Sequence, residues 1–264
     1  MFLPQLLKRR DQGDKLVALT CYDAGFARIL ADSGVDILLV GDSLGMTVQG
    51  HATTLPVTLE HMAYHTGAVA QGMAQAERAA FIMADLPFGS YQGSPRDAFD
   101  SAARLMAAGA NMVKLEGGAV MVDTVAFLSQ RGIPVCAHLG LLPQSVNQTG
   151  YRSQCRDQEA ATRLLEDAAA LEAAGAGLLV LESIPSTLAA EVTHCLGIPT
   201  IGIGAGLHCS GQVLVLQDLL GMTPSPPRFA RDFMAGAASI ADAVERYARA
   251  VRDGSFPGPE HQFP

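Results

Sequence analysis

Charged side chains recur at the ends of short apolar runs, which is where the strands of parallel α/β proteins carry their chemistry. The run at 37–40, ILLV, is followed at once by Gly41, Asp42 and Ser43. Alone, Asp42 and Ser43 could simply cap the next turn. A charge on an apolar strand costs free energy unless it is paired or binds a metal, so its recurrence indicates one shared site. Four later runs carry Asp85, Lys114, Glu116, His138 and Glu182.

The acids at these strand ends predict a magnesium site. Asp42, Asp85 and Glu116 are hard oxygen donors with no cysteine or histidine pair beside them. That donor set suits Mg²⁺ more than zinc, and Mg²⁺ usually leaves positions for water and substrate oxygens. Lys114 lies two residues before Glu116, so both side chains point to the same side of one strand. Lys114 would supply positive charge for an anionic substrate. Alternatively, Lys114 and Glu116 form a structural ion pair, either with each other or with residues on neighbouring strands.

Glu182 and His138 are candidates for proton transfer and substrate contact. Glu182 ends an apolar strand apart from the other acids, and a partly desolvated glutamate there suits a general base. Its alternative roles are a helix cap or an ion pair with an arginine. His138 lies near a strand end, where a histidine often only completes a set of hydrogen bonds.

Two other patterns are less specific. His61 and His65 are four residues apart on one predicted helix face, but the segment lacks the glutamate of HExxH. We expect them to have packing or surface roles. The glycines within 202–206 indicate either a tight passage from strand to loop or close approach to a ligand such as a phosphate.

The elements that position these residues alternate between strand and helix about eight times along the 264 residues. With no hairpin signal, this alternation predicts an α/β fold, a (βα)8 TIM barrel. We predict one domain over 1–264 with a short lead-in helix at 2–10, and an eighth strand that could also be helical. The predicted strands are 16–20, 37–40, 80–85, 111–116, 134–139, 178–182, 199–204 and 212–216, and the last helix is 231–251.

The amino-acid composition limits the classes of molecule that this protein is expected to bind. The net charge is −8 and the basic residues are scattered, which argues against binding to nucleic acid or an anionic membrane. Five widely spaced cysteines include no CxxC pair, so a disulfide framework and a zinc ribbon are not indicated. We therefore expect a reducing, cytoplasmic setting. No apolar run is long enough to span a bilayer.

Nine longer segments follow one another along nearly the whole chain. They are LTCYD (19–23), VGDSLGM (40–46), TTLPVTLE (53–60), ADLPFGSY (84–91), AGANMVKLEGG (108–118), HLGLLPQSVN (138–147), LEAAGAGLLVLE (171–182), IPTIGIGAG (198–206) and FPGPEH (256–261). In this order they resemble the ketopantoate hydroxymethyltransferase family, also named 3-methyl-2-oxobutanoate hydroxymethyltransferases. Such ordered matches are far more specific than any single short motif.

The resemblance implies a (βα)8 barrel, dependence on Mg²⁺, and a homo-oligomer, typically a decamer. It also implies the first committed step of pantothenate, hence coenzyme A, synthesis. In that step 5,10-methylenetetrahydrofolate gives a hydroxymethyl group to 3-methyl-2-oxobutanoate, forming 2-dehydropantoate. On matching positions, Asp42, Asp85 and Glu116 correspond to the metal ligands and Glu182 to the proton acceptor. The substrate contacts correspond to Asp42, Ser43, Asp85 and Lys114, with His138 near the substrate.

The implied mechanism agrees with the chemistry of the residues. Mg²⁺ would hold the keto and carboxylate oxygens of the oxoacid, and Glu182 would remove the proton beside the ketone. Mg²⁺ and Lys114 would stabilise the enolate that attacks the folate methylene. One loop departs from the family pattern: within Gly150–Arg156 one glycine is missing, and Cys155 stands where the family has the glycine of a QGR triplet. This departure bears on folate or oxoacid preference more than on the reaction class.

Two other functions fit parts of the sequence. The phosphoenolpyruvate mutase/isocitrate lyase group also consists of Mg²⁺ barrels that act on 2-oxoacid enolates, but its KKCGH-type loop is absent here. A barrel without catalysis that only binds a ligand or scaffolds an assembly is the other alternative. Intact acids at four strand ends argue against it.

Overall fold

The computed structural model describes residues 1–263, and its strands close into one parallel barrel in chain order. The uncertain eighth strand is a strand and closes the barrel, since Leu16 pairs with Gly211 and Leu19 with Leu214. The predicted (βα)8 barrel is therefore confirmed. The strands are β1 (Leu16–Thr20), β2 (Ile37–Val40), β3 (Phe81–Asp85), β4 (Met112–Glu116), β5 (Val135–Gly140), β6 (Leu178–Glu182), β7 (Thr200–Ile203) and β8 (Gly211–Leu214).

Helices connect the strands and surround the barrel. Within residues 1–263, every helix is too short or too polar to cross a lipid bilayer. The helices are α1 (Leu3–Asp11), α2 (Ala24–Asp32), α3 (Leu44–Thr47), α4 (Leu59–Met73), α5 (Pro95–Ala107), α6 (Val122–Ser129), α7 (Val146–Thr149), α8 (Gln158–Ala173), α9 (Ser186–Cys195), α10 (Leu216–Leu219) and α11 (Ile240–Asp253). Short 3₁₀ turns occupy Ala119–Met121, Pro143–Ser145 and Pro259–His261.

Short polar side chains determine where the principal helices begin. Asp23, Ser94, Asp157 and Ser239 each accept a hydrogen bond from a backbone N–H in the first turn of the following helix. Such caps satisfy donors that have no partner inside the helix. Four of the surrounding helices therefore start at positions that local sequence specifies.

The barrel separates two apolar layers by the alternation of side chains along each strand. On β2, Ile37 and Leu39 pack in the barrel interior, whereas Leu38 and Val40 pack against the helices. Leu6 of α1 is fully buried in the interior cluster. The lead-in helix therefore contributes to the core that fills the barrel.

Three sequence predictions need correction or refinement. The last helix begins at Ile240, not at 231, because Gly236 has a φ of +73° and Ser239 caps the helix instead. The loop at 140–156 contains the Pro143–Ser145 turn and α7. The glycines within 202–206 fit the tight-passage interpretation, since an added Cβ there would meet protein side chains within 3 Å.

Candidate active site

Side-chain alternation directs the predicted site residues into the barrel. On β4, Met112 belongs to the interior cluster, whereas Val113 and Leu115 pack against the helices. Lys114 and Glu116 therefore continue the interior row, as their spacing of two predicted. The same parity places Asp85, His138 and Glu182 on the interior rows of β3, β5 and β6.

All the predicted site residues line one cavity of about 970 Å³ at the carboxyl ends of the strands. Its base is the interior of the barrel, and its mouth includes the segment around Tyr151 and the segment 222–229. The cavity thus brings together predicted site residues that lie up to 140 positions apart in the chain, from Asp42 to Glu182. The predicted residues on its wall are Asp42, Ser43, Asp85, Lys114, Glu116, His138 and Glu182.

Lys114 forms an ion pair across two neighbouring strands. Its Nζ lies 2.9 Å from Asp85 Oδ1, and both side chains are almost fully buried. Burial lowers the pKa of Lys114, but the carboxylates of Asp85, Glu116 and Asp42 outweigh it, so the pKa lies above its usual value. The two roles considered for Lys114, a member of an ion pair and a source of fixed positive charge, are therefore compatible. Its partner is Asp85 on β3 rather than Glu116 on β4.

His138 lies between two carboxylates. Its Nδ1 is 3.7 Å from Glu116 Oε1, and its Nε2 is 3.3 Å from Glu182 Oε2. Burial and the charge of Lys114 lower the pKa of His138, whereas Glu116 and Glu182 raise it, with a net rise. Among residues 1–263, His138 is the ion-pair partner of Glu182, and no arginine lies within that distance.

Asp42 and Ser43 do not act as a side-chain cap for α3. Ser43 occupies the cap position without a capping hydrogen bond, and its Oγ lies 2.9 Å from the hydroxyl of Tyr22. Asp42 Oδ2 accepts a hydrogen bond of 2.9 Å from Gln144 Nε2. The interpretation of this pair as a turn cap is therefore wrong, and both side chains remain on the cavity wall.

Three carboxylates, those of Asp42, Asp85 and Glu116, cluster around Lys114 on this wall. Burial, then the nearby charges of Asp85 and Glu116, raises the pKa of Asp42 to about 8. Glu116 Oε1 is buried and has no hydrogen-bond partner in the described chain. Burial raises the pKa of Glu116, but His138 and Lys114 more than offset that, so it lies below its usual value. An ionised carboxylate oxygen without a donor is a suitable ligand for a hard divalent cation.

The wall fits Mg²⁺ by charge and donor type, but it is not a closed cage. In the described part of the chain, no three His, Cys, Asp or Glu side chains converge as a ready-made metal-binding group. Mg²⁺ sites commonly use one or two carboxylates and complete the octahedron with waters and substrate oxygens. The lack of a closed metal-binding group is therefore compatible with an open Mg²⁺ site, in which water and substrate oxygens would complete the coordination.

Gln144 is a site residue that sequence reasoning did not identify. It follows Pro143 in the turn after β5 and is 5% exposed. Its side chain contacts Asp42, and its backbone N–H donates to Glu116 Oε2 at 3.0 Å. Its position in the HLGLLPQSVN segment, after a strand end, was the available signal. The contact partner lies 102 residues away, so no local pattern could reveal it.

The altered loop lies at the cavity mouth. Tyr151 and Arg152 line the cavity, and Tyr151 is 56% exposed. Cys155 has a φ of +55°, a left-handed conformation that glycine adopts without strain and other residues rarely adopt. The departure at Cys155 therefore places a side chain where the backbone favours glycine.

The two histidines of α4 have local roles. His61 exchanges hydrogen bonds with Thr58 at the start of the helix, with N···O and N···N distances of 3.2 Å. His65 Nδ1 lies 2.6 Å from the carbonyl oxygen of Tyr22. Neither histidine lines the large cavity, which agrees with the packing roles predicted for them.

Comparison with solved structures shows the same fold at low identity. A phosphoenolpyruvate phosphomutase from Streptomyces platensis subsp. rosaceus superposes with a TM-score of 0.63 at 14% identity, covering 84% of this chain and 83% of that one. A 2,3-dimethylmalate lyase of the PEP mutase/isocitrate lyase superfamily superposes with a TM-score of 0.57 at 20% identity, covering 80% of each chain. At this identity the likeness extends to the barrel only.

The sequence identity is much higher to a different group of proteins. A protein named 3-methyl-2-oxobutanoate hydroxymethyltransferase from Thiobacillus denitrificans is 63% identical over 99% of this chain and 98% of its own length. One of the same name from Nitrosospira multiformis is 60% identical over 97% of each chain. The family model for ketopantoate hydroxymethyltransferase matches residues 1–259. The chain therefore belongs to the ketopantoate hydroxymethyltransferase family of enzymes.

Proposed function

We propose that this enzyme transfers the one-carbon unit of 5,10-methylenetetrahydrofolate to 3-methyl-2-oxobutanoate as a hydroxymethyl group. The enolate of the oxoacid attacks the methylene carbon, water supplies the hydroxyl oxygen, and 2-dehydropantoate and tetrahydrofolate are the products. In the cell this would be the first committed step of pantothenate and coenzyme A synthesis. The observation that carries the proposal is the meeting of every predicted site residue on the wall of one cavity. The names of relatives that are 60–63% identical support the same reaction.

Asp42, Asp85 and Glu116 would hold Mg²⁺, using the oxygens that face the cavity. The grouping of these three carboxylates around a single lysine and the absence of a hydrogen-bond donor to Glu116 Oε1 among residues 1–263 support this assignment. When bound, Mg²⁺ would act as a Lewis acid on the keto oxygen of the oxoacid. Because Lys114 is already paired with Asp85, the anionic substrate needs that additional positive charge.

Glu182 would remove the proton from C3 of the oxoacid. Its side chain is 13% exposed, the most accessible of the paired acids at the base of the cavity. His138 Nε2 lies 3.3 Å from one carboxylate oxygen of Glu182, so the other oxygen would serve the substrate. This contact fixes the orientation of the Glu182 carboxylate at the cavity wall, as a general base requires.

Lys114 and Ser43 would bind the substrate and the negative charge that develops on it. The Lys114 ammonium is fixed by Asp85, so little reorganisation is needed when the enolate forms. The cavity volume, about 970 Å³, lies near the upper end for small-molecule sites. A five-carbon oxoacid would fill a small part of it, which leaves room for the folate at the mouth.

Proton NMR of 3-methyl-2-oxobutanoate in D₂O tests the first half-reaction. With enzyme and Mg²⁺ we expect the C3 proton signal to disappear, and EDTA to prevent its loss. Glu182→Gln should lower the exchange rate by about 10²- to 10⁴-fold, the usual contribution of a general base. Adding methylenetetrahydrofolate should then yield 2-dehydropantoate.

Glu191→Gln is the matched control, since it makes the same change on the exposed surface of α9. It should exchange at the rate of the unchanged enzyme. Absence of exchange by folded, Mg²⁺-loaded enzyme, both with and without the folate, would contradict the proposed reaction. Unchanged exchange by Glu182→Gln would remove the role proposed for that carboxylate.

The resemblance also leads us to propose a homo-oligomer, typically a decamer, that works in the cytoplasm. The large acidic excess of the chain, with a net charge of −8, gives no reason to expect nucleic acid or membrane partners. Sedimentation equilibrium would measure the mass of the assembly directly. A monomer at all protein concentrations would contradict the oligomer.

A further inference from the structure

Gln144 lies behind the wall of acids rather than on it. It is 5% exposed, and it is not among the residues that line the cavity. A bound substrate would therefore meet Asp42 and Glu116 before it could meet Gln144. Any effect of Gln144 on the reaction must pass through the carboxylates that it contacts.

Those contacts engage one oxygen of each of two acids. Gln144 Nε2 donates to Asp42 Oδ2 at 2.9 Å, and the Gln144 backbone N–H donates to Glu116 Oε2 at 3.0 Å. The other oxygen of Glu116, Oε1, is buried without a hydrogen bond in residues 1–263. One residue thus engages one oxygen of each of two carboxylates, at the ends of β2 and β4, and leaves the second oxygen of each free of contact with Gln144.

The orientation of the Gln144 amide is determined by its neighbours. The carbonyl of Leu86 can only accept, and it lies 2.9 Å from Nε2. On the other side, the Tyr91 hydroxyl accepts from the backbone N–H of Glu116 at 3.1 Å and donates to Gln144 Oε1 at 2.7 Å. Reversing the amide would place the Gln144 carbonyl oxygen against that of Leu86, and two acceptors cannot form a hydrogen bond. Nε2 is therefore held toward Asp42.

We propose that Gln144, oriented by Tyr91, is a positioning residue that determines which carboxylate oxygens of Asp42 and Glu116 face the cavity for Mg²⁺. The proposal rests on the proposed function, since it presumes that these acids hold a divalent cation. A carboxylate without such a partner rotates about its terminal torsion and must be ordered when the cation binds. Partners of this kind commonly change metal affinity by 10- to 100-fold.

The test measures cation binding directly, with Mn²⁺ as the probe and without substrate. Gln144→Met keeps the length of the side chain and the backbone donor to Glu116, but it removes the donor to Asp42. We expect its Mn²⁺ dissociation constant, by isothermal titration calorimetry, to rise about 10- to 100-fold. Excess Mg²⁺ should restore most of the proton exchange rate, because the base Glu182 is intact.

Gln212→Met is the matched control. Gln212 is also buried, at 4% exposure, and its Nε2 donates to the carbonyl of Gly206 at 2.9 Å, but it does not line the cavity. This variant reports the cost of replacing a buried glutamine by methionine anywhere in the barrel. We expect its melting temperature to fall while its Mn²⁺ dissociation constant stays within about twofold of the unchanged protein.

Tyr91→Phe is a second test of the positioning role of Gln144, for the case that Gln144→Met does not fold. It leaves the amide in place and removes the hydroxyl that orients it, so we expect Mn²⁺ binding to weaken by about three- to tenfold, the effect of one hydrogen bond. Mn²⁺ binding by Gln144→Met or Tyr91→Phe that equals that of Gln212→Met would overturn the proposal while the proposed reaction stands. Absence of Mn²⁺ binding by the unchanged protein would overturn both this proposal and the assigned metal site.

Discussion

Strand β2 is flanked by two buried aspartates, one with arginine partners and one without. Asp36, just before the strand, is 3% exposed, and Asp42, just after it, is 4% exposed. Asp36 is paired with the guanidinium groups of Arg9 and Arg252, and its Oδ2 accepts from the backbone N–H of Val17 at 2.9 Å. Its charge is therefore fully compensated.

Asp42 has no such cation of its own. It accepts from the amide of Gln144 and lies near two further carboxylates, Asp85 and Glu116, whose charges raise its pKa. The single lysine of this wall is in direct contact with Asp85 instead. The comparison shows that burial alone does not mark a functional acid. What distinguishes Asp42 is that, among residues 1–263, it has no ion-pair partner, and that it lies at the carboxyl end of the barrel, where barrel enzymes place their sites.

Asp42→Asn should have the largest effect on function and little on stability. Removing this charge deletes a cation ligand, so we expect Mn²⁺ affinity and proton exchange to fall by about 100-fold or more. The free energy of unfolding without metal should stay constant or rise by about 1 kcal/mol, because repulsion from Asp85 and Glu116 is relieved. Calorimetric titration and urea unfolding measure the two quantities.

Asp36→Asn makes the same change at the other end of β2 and should give the opposite result. It leaves Arg9 and Arg252 without their buried partner, so the free energy of unfolding should fall by about 2 to 3 kcal/mol, less than for a fully buried pair because both arginines reach solvent. Mn²⁺ affinity of the folded protein should not change. Equal losses of stability in the two variants would refute the distinction between the ends.

Cys155→Gly should change the free energy of unfolding least among these variants. It tests backbone strain rather than charge. Within residues 1–263, Cys155 and Ser183 are the non-glycine residues with positive φ, and both belong to segments beside the cavity. A left-handed φ costs a non-glycine residue about 1 to 2 kcal/mol, partly offset by the greater freedom of glycine in the unfolded chain. We expect a net gain of about 0.5 to 1 kcal/mol in urea unfolding.

Cys155→Ala serves as its control, because it removes the thiol but keeps the Cβ. It should show no gain in the free energy of unfolding. A gain in the alanine variant as large as in the glycine variant would assign the effect to the thiol, and the strain interpretation would be wrong.

Much of the site could be predicted from the positions of polar residues on apolar strands. Asp85, Lys114 and Glu116 were recognised because each interrupts a run that is otherwise apolar, and the alternation of side chains then placed them inside the barrel. The last helix was placed nine residues too early. Its true start is the cap at Ser239, whose Oγ accepts from the backbone N–H of Asp242 at 3.1 Å. The alanine-rich segment before it obscured this local signal.

Gln144 could not be recognised in this way, because a glutamine in a loop carries no charge that calls for an explanation. Its importance depends on the turn at Pro143–Ser145 passing behind the carboxylates of β2 and β4. His138 could be predicted as a site residue, but its contacts could not, because Glu116 and Glu182 lie on the strands on either side of it.

By itself, the sequence determined the elements, their order and the side of each strand on which every charged residue lies, because these properties depend on near neighbours along the chain. Only the tertiary structure decided which side chains contact one another in the site. Lys114 pairs with Asp85 rather than with Glu116, Glu182 faces His138 rather than an arginine, and Gln144 bridges two acids. These choices depend on distances across a closed barrel, which follow from strand register and loop conformation, and neither is encoded in a local pattern.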